Sequence, residues 1–115
     1  MTDSRALTHW LPVVGWAALI FALSSIPHLG TDLGTWDLIL RKGAHMTEYA
    51  ILGALLLRAL GREPQAFLAG VAYAVTDEFH QHFVSGRHAS PVDVAIDSVG
   101  VLIGVLLAGR VRAGT

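Results

Sequence analysis

Cysteine does not occur in the chain, and its absence removes disulfide staples, thiolate metal sites and thiol nucleophiles together. Charge is sparse as well. Asp, Glu, Lys and Arg make up 15% of the residues, against roughly 25% in an average soluble domain. The formal net charge is −1, and no basic stripe interleaved with aromatics occurs, so the electrostatic footprint of a nucleic-acid binder is missing. β patterning is missing too: the apolar runs are too long for strands, do not alternate, and favour Leu and Ala over β-branched residues except near the carboxyl end. There is no repeat of fixed period and no low-complexity tract. Nor does any hydroxyl stand in a convincing relation to a histidine and an acid. Ser85, Ser90 and Thr47 read as loop, cap or packing residues.

What the chain does have is apolar length. Of its 115 residues 53% are apolar, and residues 1–115 have room for a single domain. Four apolar segments stand out, at 10–26, 43–60, 64–84 and 92–109, each close to the roughly 17 to 25 residues that a membrane span needs. The expected fold is all-α, an integral membrane bundle of four transmembrane helices. A soluble four-helix bundle would need a charged face on every helix, and the first and last segments show almost none. For the first segment a cleaved signal peptide is the rival reading, because Arg5 precedes it and Ala22, Leu23 and Ser24 loosely resemble a cleavage site. Residues 27–41 read as a polar loop containing a short helix at 36–40. Gly61 to Glu63 reads as a tight hairpin followed by Pro64, a good first-turn residue. The second and third helices are therefore expected to be antiparallel neighbours.

Loop charge sets the expected orientation. Arg5, Arg58, Arg62, Arg110 and Arg112 fall on one side of such a bundle, with Arg41, Lys42 and Arg87 on the other. The positive-inside rule then makes both termini cytoplasmic and the chain a multi-pass protein of the cell membrane. On this topology the polar residues gather at one level. Lys42, His45, Glu48 and Tyr49 open the second segment, Asp77, Glu78, His80, Gln81 and His82 close the third, Arg87 follows, and Asp93 and Asp97 open the fourth. All are expected near the extracytoplasmic face, where burial costs less than the roughly 2.5 to 3.5 kcal/mol charged for an ionised group at mid-membrane.

Helical spacing, which puts residues three and four apart on one face, sharpens the grouping. Lys42, His45 and Tyr49 share a row, as do Tyr73, Asp77 and Gln81; Asp93 and Asp97 are one turn apart, and Gly100 and Gly104 continue nearly the same face. Small residues at that spacing serve either internal helix packing or a homo-oligomer, and their place on the aspartate face favours the former. His80 and His82 lie two apart on different faces, which argues against a joint zinc site. Trp10, Trp16 and Trp36 read as interfacial anchors or packing residues.

The run Lys42-x-x-His45-x-x-x-Tyr49, Asp77-Glu78-x-x-Gln81, Gly86-Arg87 and Asp93-x-x-x-Asp97-x-x-Gly100-x-x-x-Gly104 resembles the VanZ-like family of small membrane proteins. The resemblance extends from Ser24 to Gly104. It implies an all-helical membrane protein, in a family named for a member linked to low-level resistance to the glycopeptide teicoplanin, and it implies no settled reaction. Asp97 stands where the family pattern usually has asparagine, which adds a negative charge or a metal ligand.

Three functional classes follow from these residue types. In an enzyme or binding site for an anionic cell-envelope lipid or cell-wall precursor, Lys42 and Arg87 hold the headgroup, arginine being suited to bidentate phosphate contacts. His45 is then the leading general acid or base. Asp77, Glu78, Asp93 and Asp97 offer oxygen ligands to a divalent cation. The candidate catalytic set is His45, Asp77, Glu78, Arg87 and Asp93, with Lys42, Tyr49, Gln81 and Asp97 as binding residues of the same polar pocket. Binding without turnover uses the same groups. The third class is purely structural, the charges pairing to lock one helix to another.

Overall fold

A computed structural model describes residues 3–24, 35–83 and 91–114 of the chain. Four helices and no strand occur among them: α1 (Asp3–Ser24), α2 (Thr35–Leu60), α3 (Glu63–Gln81) and α4 (Pro91–Gly114). Every helix differs at a boundary from its apolar segment, and α1, α2 and α4 run past theirs because backbone hydrogen bonding continues where hydropathy stops. α1 begins at Asp3 and not at 10, since its polar opening residues extend the helix beyond its apolar part. α2 begins at Thr35 and absorbs the short helix expected at 36–40. Arg41 and Lys42 are good helix formers, and the one Gly that follows costs only about 1 kcal/mol, so nothing there breaks the helix. α4 runs to Gly114 and not to 109. α3 ends at Gln81, three residues short of the expected 84. His82 N–H there shares the carbonyls of Glu78 and Phe79, and Phe83 N–H bonds that of His80, the tightened last turn typical of a helix terminus.

The hairpin between α2 and α3 follows from two residues. Gly61 takes φ +82°, a left-handed conformation that glycine adopts without a Cβ penalty, and its N–H bonds the Leu57 carbonyl at 2.8 Å, closing α2. Pro64 then sits in the first turn of α3, where its missing N–H costs nothing. The two helices fold back antiparallel, as their connection requires.

The most extensive packing is between α2 and α4, with α3 lying against both and α1 against α2 and, more lightly, α3. Glycine makes the α2–α4 seam close. A Cβ on Gly100 would sit 2.5 Å from the Met46 carbonyl oxygen, one on Gly53 would sit 2.5 Å from that of Val101, and one on Gly104 would overlap the Ala50 carbonyl. Gly100 and Gly104 thus serve internal packing, backbone against backbone. From Lys42–Asp93 and His45–Asp97 to Met46–Gly100 and Ala50–Gly104 residue numbers rise together, so α2 and α4 are parallel and α3 runs against them.

Polarity is distributed unusually around this bundle. α4 turns Asp97, Gly100, Val101, Gly104 and Val105 inward and leaves Val99, Leu102, Ile103, Leu106 and Leu107 exposed. Exposed apolar side chains recur on α1 at Leu7, Leu11 and Val14 and on α3 at Leu68, Val75 and Phe79, while Asp77, Glu78, Gln81 and Asp97 are buried. Pro91–Val111, at 21 residues, is long and apolar enough to cross a membrane; Leu7–Leu23 is apolar but shorter. Arg58, Arg62 and Arg110 are exposed at the hairpin end, where Gly109 of α4 comes up to the Glu63 carboxylate.

Candidate functional site

Parallel packing of α2 on α4 sets up a short ladder of polar side chains. At its outer rung the Lys42 ammonium bonds an Asp93 carboxylate oxygen, with 37% of the lysine side chain and 16% of the aspartate exposed. One turn deeper, His45 Nδ1 lies 3.0 Å from Asp97 Oδ1. Exposure falls there to 20% for His45 and 1% for Asp97. The glycine contacts lie below this second rung, and their close approach is what brings the imidazole of one helix to the carboxylate of the other.

The third helix adds Asp77. Its Oδ2 accepts the Tyr49 hydroxyl at 2.9 Å and the Gln81 amide at 3.3 Å, and the two donors together fix the carboxylate's orientation. Tyr49 and Gln81 are themselves buried. Candidate ligand atoms of His45, Asp77 and Asp97 lie within 4.8 Å of one another. Side chains from 45 to 97 in the sequence thus converge on one small volume inside the bundle.

The continuous α2 changes the depth of this cluster. Counted from Thr35, Lys42 is the eighth residue of the helix, His45 the eleventh and Tyr49 the fifteenth, so they are not in its first turns, as the segment beginning at 43 implied. From Asp97 to Gly109, at the hairpin end, is about 18 Å along α4 at 1.5 Å per residue. His45, Asp77 and Asp97 therefore sit well inside the bundle, and the Lys42–Asp93 rung lies between them and its outer end.

Not every expected residue joins. Glu78 is buried on α3 but is not one of the three residues whose ligand atoms cluster. Arg87, with Ser85, Gly86, His88 and Ser90, lies outside the described residues, as does most of the 27–41 loop, including His28. His80 stacks on Phe21 at a ring-centroid distance of 4.1 Å, and His82 is exposed. Tyr73, expected in the stripe with Asp77, sends its hydroxyl to the Ala17 carbonyl at 2.5 Å.

The sequence reading missed how α1 is tied to the bundle. Trp16 donates its indole N–H to the Glu48 carbonyl at 2.9 Å, one residue before Tyr49. Val13, Trp16, Ala17 and Ile20 share the inward face of α1. Their three- and four-residue spacing was the available signal.

A family model described as VanZ/LLP1 matches residues 3–112. No curated protein and no solved structure matches the chain.

Proposed function

The chain belongs to the VanZ/LLP1 family, and on that premise we propose that it is a four-span membrane protein whose polar cluster receives the headgroup of an anionic cell-envelope lipid or cell-wall precursor. Both termini face the cytoplasm. Supporting the spans, large apolar side chains on α1, α3 and α4 are exposed while Asp77, Glu78, Gln81 and Asp97 are buried, which suits hydrocarbon as solvent and is costly in water. Supporting the orientation, exposed Arg58, Arg62 and Arg110 mark one end, the end that the positive-inside rule assigns to the cytoplasm.

The observation that carries the reading is the convergence of His45, Tyr49, Asp77, Gln81 and Asp97 from three helices. Each buried ion costs several kcal/mol in desolvation, and a bundle of this size can be held by apolar contacts and glycine seams alone. Ionisable residues retained in a membrane interior are a functional site by default. In this reading Lys42 and Arg87 meet the anionic headgroup at the outer rim. His45, oriented by Asp97 as imidazoles commonly are by a carboxylate, is the proton carrier for any reaction there. A link to teicoplanin resistance would follow from altered display of an envelope precursor.

A second reading has specific support: Lys42–Asp93 and His45–Asp97 both join α2 to α4, which is what a helix lock does. Single replacements Asp77→Asn, Arg87→Ala and Asp93→Asn separate the two. For a headgroup site, folded yield in detergent stays within about twofold of the parent, while teicoplanin susceptibility and the lipid-extract mass spectrum shift to those of cells lacking the protein. Collapse of folded yield in all three variants would leave the lock as the account.

A further inference from the structure

We propose that His45, Asp77 and Asp97 form a binding site for one divalent transition-metal ion of the zinc or manganese class. Their ligand atoms lie within 4.8 Å of one another, close enough for a small side-chain adjustment to bring them onto one ion. Ligands at about 2.0 to 2.2 Å from one ion stand roughly 3 Å apart when adjacent and somewhat over 4 Å when opposite. The His45–Asp97 separation of 3.0 Å is thus the length of one edge of a coordination polyhedron as well as of a hydrogen bond.

A separate observation points into the cluster. Asp97 is 1% exposed, and its Oδ2 is buried with no hydrogen-bond partner. A buried carboxylate oxygen in that condition is costly unless a cation or donor faces it, and a dication between His45 and the two aspartates supplies one. Asp77 is already held as metal-ligating carboxylates usually are, by outer donors that fix its direction, here Tyr49 and Gln81.

Charge balance agrees with the geometry. Two carboxylates, a neutral imidazole and a dication sum to zero, the state that a dry bundle interior tolerates best. Lys42 on the neighbouring rung is engaged by Asp93. The donor type selects the ion: one imidazole with carboxylates and no thiolate suits zinc or manganese better than copper(I) or calcium. Metal uptake by these donors is independent of any headgroup at the outer rim.

The test is isothermal titration of Zn2+ and of Mn2+, each alone, into the metal-stripped full-length chain in detergent without added lipid. Wild type is expected to take up one ion per chain and to unfold at a higher temperature with it. Asp97→Asn and His45→Gln are expected to bind at least tenfold more weakly and to lose the metal-dependent thermal shift, while His82→Ala behaves as wild type. If a variant fails to fold without metal, Asp77→Asn carries the same comparison. Equal affinity in wild type and the cluster variants, loss of binding in His82→Ala, or no saturable uptake would overturn the site. None of these outcomes bears on the lipid-extract comparison.

Discussion

Alanine at Gly104 and alanine at Gly43 should move stability in opposite directions, although both glycines lie inside helices. At Gly43 a Cβ meets nothing within 4 Å, so the substitution gains only the helix preference of Ala over Gly, about 0.5 to 1 kcal/mol. At Gly104 the same methyl overlaps the backbone carbonyl of Ala50. Backbone cannot rotate away as a side chain can, so α2 and α4 must separate by roughly an ångström, and a gap of that size forfeits a quarter to a half of each dispersion contact along the seam. Overpacking of this kind costs about 1 to 3 kcal/mol, which outweighs the propensity gain over most of its range and leaves a net loss of up to about 2.5 kcal/mol. Thermal unfolding of both variants in one detergent reads the difference directly. The separation should also pull His45 from Asp97, because the glycine contacts set that distance. If Gly104→Ala unfolds at or above the temperature of Gly43→Ala, the close seam is wrong.

Tyr49→Phe removes the 2.9 Å hydroxyl donor to Asp77; a hydrogen bond to a buried charged acceptor is worth about 1.5 to 3 kcal/mol, so thermal unfolding should show a loss of that order, and a change under about 0.5 kcal/mol would sink the assigned contact. The cysteine-free background permits a clean orientation test: a membrane-impermeant maleimide should label Leu40→Cys in intact cells and Arg62→Cys only after permeabilisation, and the reverse pattern would invert the proposed topology.

Helix identity was legible in the sequence because α4 is apolar over a span's length and α1 over a shorter stretch, and because Gly61 and Pro64 mark the α2–α3 hairpin with unmistakable backbone chemistry. Helix starts were less legible. Hydropathy locates the part of a helix that suits hydrocarbon, whereas the helix itself continues through polar formers such as Arg41 and Lys42 until a cap or a turn stops it. The partners within the site could be narrowed but not paired. Spacing puts Asp93 and Asp97 on one face, and Lys42 with His45 on another, yet the rung that joins each lysine or histidine to its aspartate depends on how far α4 slides along α2. Gly53, Gly100 and Gly104 set that offset through three-dimensional contacts. Trp16 illustrates the same limit: its indole finds a backbone carbonyl on α2, and no side-chain pattern marks that acceptor.

The depth of the cluster bears most directly on what it is for. Placed in the opening turns of α2, these groups would be partly hydrated at the interface and cheap to keep, which weakens any inference from their presence. Lengthening α2 back to Thr35 puts His45 and Tyr49 ten or more residues inside the helix, and Asp97 beside them is almost wholly enclosed. The desolvation cost therefore returns, at several kcal/mol per ion. A lock at the outer rung, Lys42 with Asp93, offsets its own cost by pairing opposite charges at a half-exposed site. The inner rung is more crowded: Asp77 stands beside the carboxylate that His45 engages, and Asp97 Oδ2 is buried with no hydrogen-bond partner. A cation facing that oxygen would lower its cost of burial, and a metal ion there would also give the cluster the means to hold a phosphate. The outer rung, where a headgroup would arrive, can also be accounted for as a lock, so the inner one is the sharper place to test for function.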